Sequence, residues 1–264
     1  MEEQRPPKLG IIGCGNLGRQ LAKRLAPHYP LFLYDREAEV TSEVALSVNA
    51  GPCQDPIEVA HLSDILFLVV KPKDFAPLAA SIQQELQNKR LIVSTLAGIS
   101  LETLKSYFSA PVLRMMPNMA IAYGSAPIGL SRAEEFPPLL EETLSSIISL
   151  CGTPYWVDES LMDALTALIG SGPAFALVMI ESIVESAIAM GLNAPTGLQL
   201  TCHMLKNAIQ LIEKTKSHPA ELKWQIASPS GTTIAGLKAL EEKGLRSAIM
   251  HSFLAAHEKA RQIS

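Results

Sequence analysis

The stretch Ser228-Pro229-Ser230-Gly231-Thr232-Thr233 combines two hydroxyl-rich pairs with a glycine, directly before an apolar pattern at helical spacing (Ile234, Leu237, Leu240). Pro and Ser break what precedes, so the stretch reads as a tight turn feeding a helix N-terminus. A helix start presents unpaired N–H groups and the positive end of the peptide dipoles, which suits a carboxylate or phosphate. Gly231 lets an anion approach the backbone, and Thr232 and Thr233 add hydroxyls that either cap the helix or hydrogen-bond a small polar ligand.

A second constellation stands near the other end. The apolar run Lys8–Ile12 leads into Gly13-Cys14-Gly15-Asn16-Leu17-Gly18, and Leu17, Leu21 and Leu25 then mark a helix. This is G-x-G-x-x-G between a strand and a helix, the setting in which the glycines make a tight turn, admit a pyrophosphate and let helix and strand pack closely. A second strand, Leu31–Tyr34, ends at Asp35, where a carboxylate meets the adenosine ribose of NAD; Arg36 beside it suits the 2′-phosphate of NADP. The two residues point opposite ways, with a lean to NADH.

The elements that must position these residues follow an alternating pattern. Ile65–Val70 is continuously apolar, as in a strand buried on both faces of a parallel sheet, and stops at Lys71-Pro72. A helix over Phe75–Leu86 leads to a strand ending at Ser94-Thr95, where Ala97 and Gly98 leave room for a flat ring. A strand Val112–Met115 then brings Asn118 to the same edge. A strand-helix-strand passage from Pro127 to Val157 closes the pattern, and beyond Asp158 strand signals cease. Gly170-Ser171-Gly172-Pro173 interrupts an apolar helical face, and a long helix with a wide apolar surface follows. Further helices run from about Pro195 to Lys214, from Pro219 toward Ile226, and from Leu245 to Gln262. The expected fold is α/β: a Rossmann-type dinucleotide-binding domain over 1–158, then an all-helical domain over 159–264. So apolar and small a helical layer is expected to complete its core with another subunit.

Composition bounds the function. With 48% apolar and 18% charged residues and a net charge of −4, the chain is globular and lacks the basic excess that nucleic acid attracts. Met1–Pro7 is polar, unlike a secretory leader, which points to the cytoplasm. The tract from Phe175 to Leu192 is broken by Glu181 and Glu185, against a membrane span. Cysteines 14, 53, 151 and 202 have no C-x-x-C spacing and the six histidines no ligand pairing, so no metal or disulfide framework is read.

Together these motifs resemble the pyrroline-5-carboxylate reductase family over nearly the whole chain. The resemblance is carried by the glycine loop, Val70-Lys71-Pro72, Ser94–Gly98, Arg114–Asn118, Gly170–Ala174, Met190-Gly191-Leu192, His218-Pro219 and above all Ser228–Thr233. It implies reduction of a cyclic imine carboxylate to proline by NADPH or NADH, and a helical domain that forms a homodimer, with a larger ring of dimers possible. It further implies that Ser228, Gly231, Thr232 and Thr233 hold the substrate, with the Thr233 hydroxyl as the catalytic candidate. The cofactor would meet Gly13, Gly15, Asn16, Leu17, Asp35, Arg36, Val70, Lys71, Pro72, Ala97, Gly98 and Asn118. Departures are Ser230 where the family usually has a small residue such as glycine, Met119-Ala120 after Asn118, and Lys216-Ser217 where some members place an acid before the His-Pro pair. Competing readings are a dehydrogenase of another small keto or hydroxy acid, which would need a positioned Lys or His, and a non-catalytic dinucleotide sensor.

Overall fold

The computed structural model describes residues 5–86 and 91–263. Met1–Gln4, part of the polar stretch Met1–Pro7, lie outside them. Two compact units emerge. One runs to Gly170 and regains the chain's last stretch from Ala256; the other is Ser171–Ala255. The sequence reading divides the chain at 158/159 instead, twelve residues earlier.

In the first unit the strands are β1 (Leu9–Ile12), β2 (Leu31–Tyr34), β3 (Gly51–Pro52), β4 (Ile65–Leu68), β5 (Leu91–Ser94), β6 (Val112–Met116), β7 (Ala126–Arg132) and β8 (Gly152–Trp156). They form one sheet of order β3-β2-β1-β4-β5-β6-β7-β8. Between them lie α1 (Asn16–Leu25), α2 (Ala38–Val48), α3 (Pro56–Leu62), α4 (Phe75–Ile82), α5 (Leu101–Tyr107) and α6 (Pro138–Ser149). Every residue of β1, β4 and β5 is buried, because helices cover both faces. On one face Leu9, Ile11 and Phe67 pack with Leu21 and Leu25 of α1, Val44 of α2 and Leu144 of α6. On the other, Ile12, Leu66 and Leu68 pack with Val59 of α3, Phe75 of α4 and Leu104 of α5. Phe67 is fully buried; truncating such a ring to alanine typically costs about 3–5 kcal/mol.

The pairing is parallel except between β6 and β7, where Arg114 faces Ser131 in antiparallel register. The connection explains it: only a short 3₁₀ turn, Met119–Tyr123, separates the two strands, whereas a parallel return needs a crossover of a dozen or more residues. The expected strand-helix alternation is therefore broken at that point.

Beyond β8, a 3₁₀ turn (Glu159–Leu161), α7 (Met162–Leu165) and a π-helical segment (Thr166–Ser171) lead into α8 (Gly172–Ala189). Gly170–Pro173 thus does not interrupt the helix as the sequence suggests. The wider π turn absorbs it, and Pro173 sits in the first turn of α8, where its missing N–H costs nothing.

The second unit contains α8, α9 (Ala194–Thr215), α10 (Pro219–Ile226), α11 (Thr232–Glu242) and the larger part of α12 (Leu245–Ile263). Gly191 takes a left-handed φ of 98° to end α8, and the Asn193 side chain accepts from Thr196 N to start α9. Phe175 and Phe253 meet edge to face at 5.1 Å. Of the 18 residues of α8, only Gly172 and Ala187 are buried, and apolar side chains such as Leu177 (64% exposed) and Val178 (60%) face outward.

Candidate active site

In this sheet β1 lies between β2 and β4, so successive crossovers leave it in opposite directions and open a crevice beyond its carboxyl end. A cleft of about 570 Å³ occupies this place, and Gly13, Gly15, Asp35, Arg36, Val70 and Lys71 line it. Gly13 has φ 104°, and a Cβ there would strike the Val69 carbonyl. Gly18 has no room for a Cβ against the Gly13 carbonyl, so α1 packs directly on the turn. Gly15, the N-cap of α1, has nothing within 4 Å of where its Cβ would be. The first turn of α1 carries no acidic residue. A glycine turn open at its middle position, ahead of a helix start without competing negative charge, fits a dinucleotide pyrophosphate.

Asp35 lies at the cleft wall with both carboxylate oxygens engaged. Oδ2 accepts from Cys14 N at 2.7 Å and Oδ1 from Glu37 N at 3.1 Å. Burial, followed by the Asp35 charge, pushes the Cys14 thiol up to about 12, so it stays neutral. Arg36 is exposed, with its guanidinium 3.9 Å from the Asp74 carboxylate. Lys71 is exposed at the start of the turn that Pro72 opens.

Asn16 and Leu17 begin α1, and Leu17 packs partly on the core. Ala97, Gly98 and Asn118 stand on the loops after β5 and β6, outside the lining of this cleft. Gly98 has φ 77°, and the Ile263 carbonyl of the last helix occupies the place of a Cβ. The Asn118 amide is used within the chain: Oδ1 accepts from Ala120 N, and Nδ2 donates to the Ile169 carbonyl in the π segment.

In the second unit, Gly231 is the N-cap of α11 and no side chain caps that helix. The Thr232 and Thr233 hydroxyls therefore do not serve as caps. A Cβ at Gly231 would run into Ser228 Oγ, which folds the turn tightly over the helix start. Ser230 has a left-handed φ of 59°, a conformation in which a side chain costs about 1 kcal/mol or more. Thr233 lines a small cavity of about 290 Å³, with Leu211, Ile212, Leu222 and Ile226 among its walls. Thr233 is the residue that α11 contributes to this largely apolar lining. His218 caps α10, with Nδ1 accepting from Ala220 N, and Lys216 ends α9 at φ 57°.

One pairing escapes the sequence reading, which names Arg114 only within a family motif and Glu159 not at all. Arg114, 4% exposed on β6, donates from Nη1 to Glu159 Oε1 at 2.7 Å. The same oxygen accepts from Leu101 N at 3.0 Å. A separation of 45 positions hides such a pair from any spacing rule.

Comparison with known proteins bears on the whole chain. The pattern of the pyrroline-5-carboxylate reductase dimerisation family matches residues 159–263, and that of the coenzyme F420-dependent NADP oxidoreductases matches 8–98. A pyrroline-5-carboxylate reductase of Methanosarcina acetivorans is 33% identical, covering 100% of this chain and 99% of the relative. The chain belongs to the pyrroline-5-carboxylate reductase family. The reductase of Synechocystis sp. is 32% identical over 97% of this chain and 98% of its own. Among solved structures, the Plasmodium falciparum reductase with NADP bound superposes with a TM-score of 0.89 at 25% identity, covering 97% of this chain and 98% of that one. The Streptococcus pyogenes reductase gives 0.89 at 26%, covering 97% and 99%. This member of the reductase family thus has the expected architecture, a Rossmann-type nucleotide domain followed by a helical dimerisation domain.

Proposed function

We propose that the protein reduces 1-pyrroline-5-carboxylate to L-proline with NADPH or NADH. The observation that carries this reading is the end-to-end match to relatives named as this reductase. It is supported by a glycine turn shaped for a dinucleotide and by a polar helix start that no side chain caps.

When bound, the dinucleotide supplies the hydride, from nicotinamide C4 to the imine carbon. The Gly13–Gly15 turn and the start of α1 offer N–H groups to the pyrophosphate, the exposed Arg36 would meet a 2′-phosphate by turning from its 3.9 Å contact with Asp74, and Ala97 and Gly98 give a flat rest for the ring. In the helical unit the N–H groups that follow Gly231, with the Ser228 and Thr232 hydroxyls, receive the substrate carboxylate. Thr233 Oγ1 accepts the N–H of the ring iminium and so keeps the proton on nitrogen. A cyclic iminium already carries that proton in solution, so no stronger acid is needed. Asn16, Leu17, Val70, Lys71, Pro72 and Asn118 complete the cofactor-side set.

The helical unit binds a second copy of the chain. The run Glu159–Ala189 is apolar enough to cross a membrane by length and composition, with mean hydropathy 1.8 in its best window. That departs from the polarity read at Glu181 and Glu185. Its outward side chains instead lie in the dimerisation region of the family, which supports a homodimer; a cytoplasmic location and a larger ring of dimers complete the proposed reading.

Steady-state assays with both dinucleotides test the proposal. Oxidation of NADPH or NADH that appears only when the cyclic imine is added supports it. Turnover with a small keto acid in place of the imine, or dinucleotide binding without turnover, rejects it in favour of a dehydrogenase or a sensor.

A further inference from the structure

Among the described residues, Arg114 is the one charged side chain in the buried class. A buried ion pair is a poor source of stability, since well-packed apolar residues of similar volume commonly do as well or better. Arg114 Nε and Nη2 and Glu159 Oε2 are buried and without a partner, so the pair is not even fully satisfied. What it fixes is geometric.

Glu159 Oε1 receives both Arg114 Nη1 and the N–H of Leu101. Leu101 is the first residue of α5, directly after the loop that holds Ala97 and Gly98. Arg114 precedes the end of β6 by two residues, and the loop beyond it carries Asn118. One carboxylate oxygen therefore ties the loop after β5 to the strand that feeds the loop after β6. The chain that begins at Glu159 is fastened again at Ile169, through Asn118 Nδ2 at 2.9 Å. Gly98 is braced from another side by the Ile263 backbone.

We infer that Glu159, acting through Arg114 and the Leu101 N–H, is a positioning residue for hydride transfer. It sets the spacing of the two loops at the sheet edge where the nicotinamide rests, and so the placement of the hydride donor. This rests on the reductase reading. Hydride transfer requires a near-attack geometry, and a misplacement of about 1 Å can cost up to about a hundredfold in rate.

The test separates positioning from stability. Arg114→Met with Glu159→Leu replaces the pair by apolar bulk. Glu159→Asp keeps the charge opposite Arg114 but withdraws it by one methylene, so the buried cation stays compensated. Both variants are expected to hold NADPH within about twofold of wild type by fluorescence titration, because the Gly13–Gly15 turn is untouched. Single-turnover oxidation should slow by roughly tenfold, with a larger isotope effect from 4-deuterated NADPH as the chemical step becomes limiting. Glu159→Gln, which retains the Oε1 acceptor but leaves Arg114 without its counter-charge, should be less stable yet keep most of the single-turnover rate in the folded protein. If the apolar pair prevents folding, Glu159→Asp alone decides. A folded Glu159→Asp or double variant with a wild-type single-turnover rate overturns the inference. Wild-type protein that oxidises neither NADPH nor NADH with the cyclic imine overturns the reductase reading instead.

Discussion

Asp35 Oδ2 accepts a 2.7 Å hydrogen bond from the backbone N–H of Cys14, 21 residues earlier and in the middle of the glycine turn. The carboxylate that the sequence offers as a ribose ligand is thus also a clasp that holds the turn against the end of β2. Its other oxygen caps Glu37 N. Hydrogen bonds to a charged acceptor contribute about 1.5–3 kcal/mol, so a ribose bound at Asp35 would compete with the clasp for one group's lone pairs.

Asp35→Asn separates the two roles. The amide keeps one oxygen acceptor and removes the charge that would repel a 2′-phosphate. The ratio of specificity constants, NADPH over NADH, is expected to rise by about tenfold, equivalent to about 1.4 kcal/mol. The melting temperature should fall by a few degrees as one bond of the clasp is lost. A lowered melting temperature with an unchanged ratio would assign Asp35 to the clasp alone.

The outward apolar side of α8 predicts assembly. Leu177→Glu places a charge on a side chain that is 64% exposed in the single chain. A chain functioning alone would tolerate that change within about 0.5 kcal/mol. If a second copy covers the helix, the unpaired charge enters the interface, and sedimentation should show the dimer lost or weakened by at least a hundredfold. Wild-type protein that sediments as a monomer at assay concentration refutes the arrangement.

Three buried thiols give a pH signature. Burial pushes Cys14 up to about 12 and both Cys53 and Cys151 up to about 11, from 9.0. The folded state therefore holds protons that the unfolded chain releases above pH 9, and stability must fall as pH rises from about 9 through 11–12. Below pH 8 these groups contribute no slope. Denaturant midpoints taken between pH 8 and 11 should decline, and Cys151→Ala should flatten the decline. In native protein at pH 8, iodoacetamide should label the half-buried Cys202 well before the other three; preferential labelling of Cys14 would contradict the burial argument.

Much of the fold was legible because burial leaves strong patterns. Ile65–Leu68 is apolar throughout since both faces of β4 are covered, and Asn193 and Gly191 mark helix ends by side-chain capping and left-handed backbone. The short elements were not legible. β3 has two residues, too few for a period, and α2 has no side-chain cap to announce it. The Asp55-Pro56 start of α3 was readable and passed over: Asp55 accepts from Glu58 N with Pro56 in the first turn. At the site, the tight glycine turn and the close packing of α1 on it were legible in spacing alone. The Asp35 clasp, the Asn118 link to Ile169 and the Arg114–Glu159 pair depend on which strands the fold brings side by side, and a linear pattern carries no trace of that.

The helix start at Gly231 supplies the sharpest test. Capping and ligand binding predict different things for Thr233, and no side-chain cap is present at this helix. Thr233→Ala should therefore cost little stability, well under the 0.5–2 kcal/mol typical of a lost cap (about 1 on average). If Oγ1 meets the charged ring nitrogen, the same change removes a hydrogen bond of about 1.5–3 kcal/mol, roughly a tenfold to hundredfold loss in kcat/KM for the imine. Dinucleotide affinity without substrate should hold, because the proposed pyrophosphate site at Gly13–Gly15 is untouched. Thr233→Ser keeps the hydroxyl and should restore most of the activity. Melting curves and kinetics on both variants decide the matter: a Thr233→Ala protein with lowered stability and full kcat/KM would remove Thr233 from the active site.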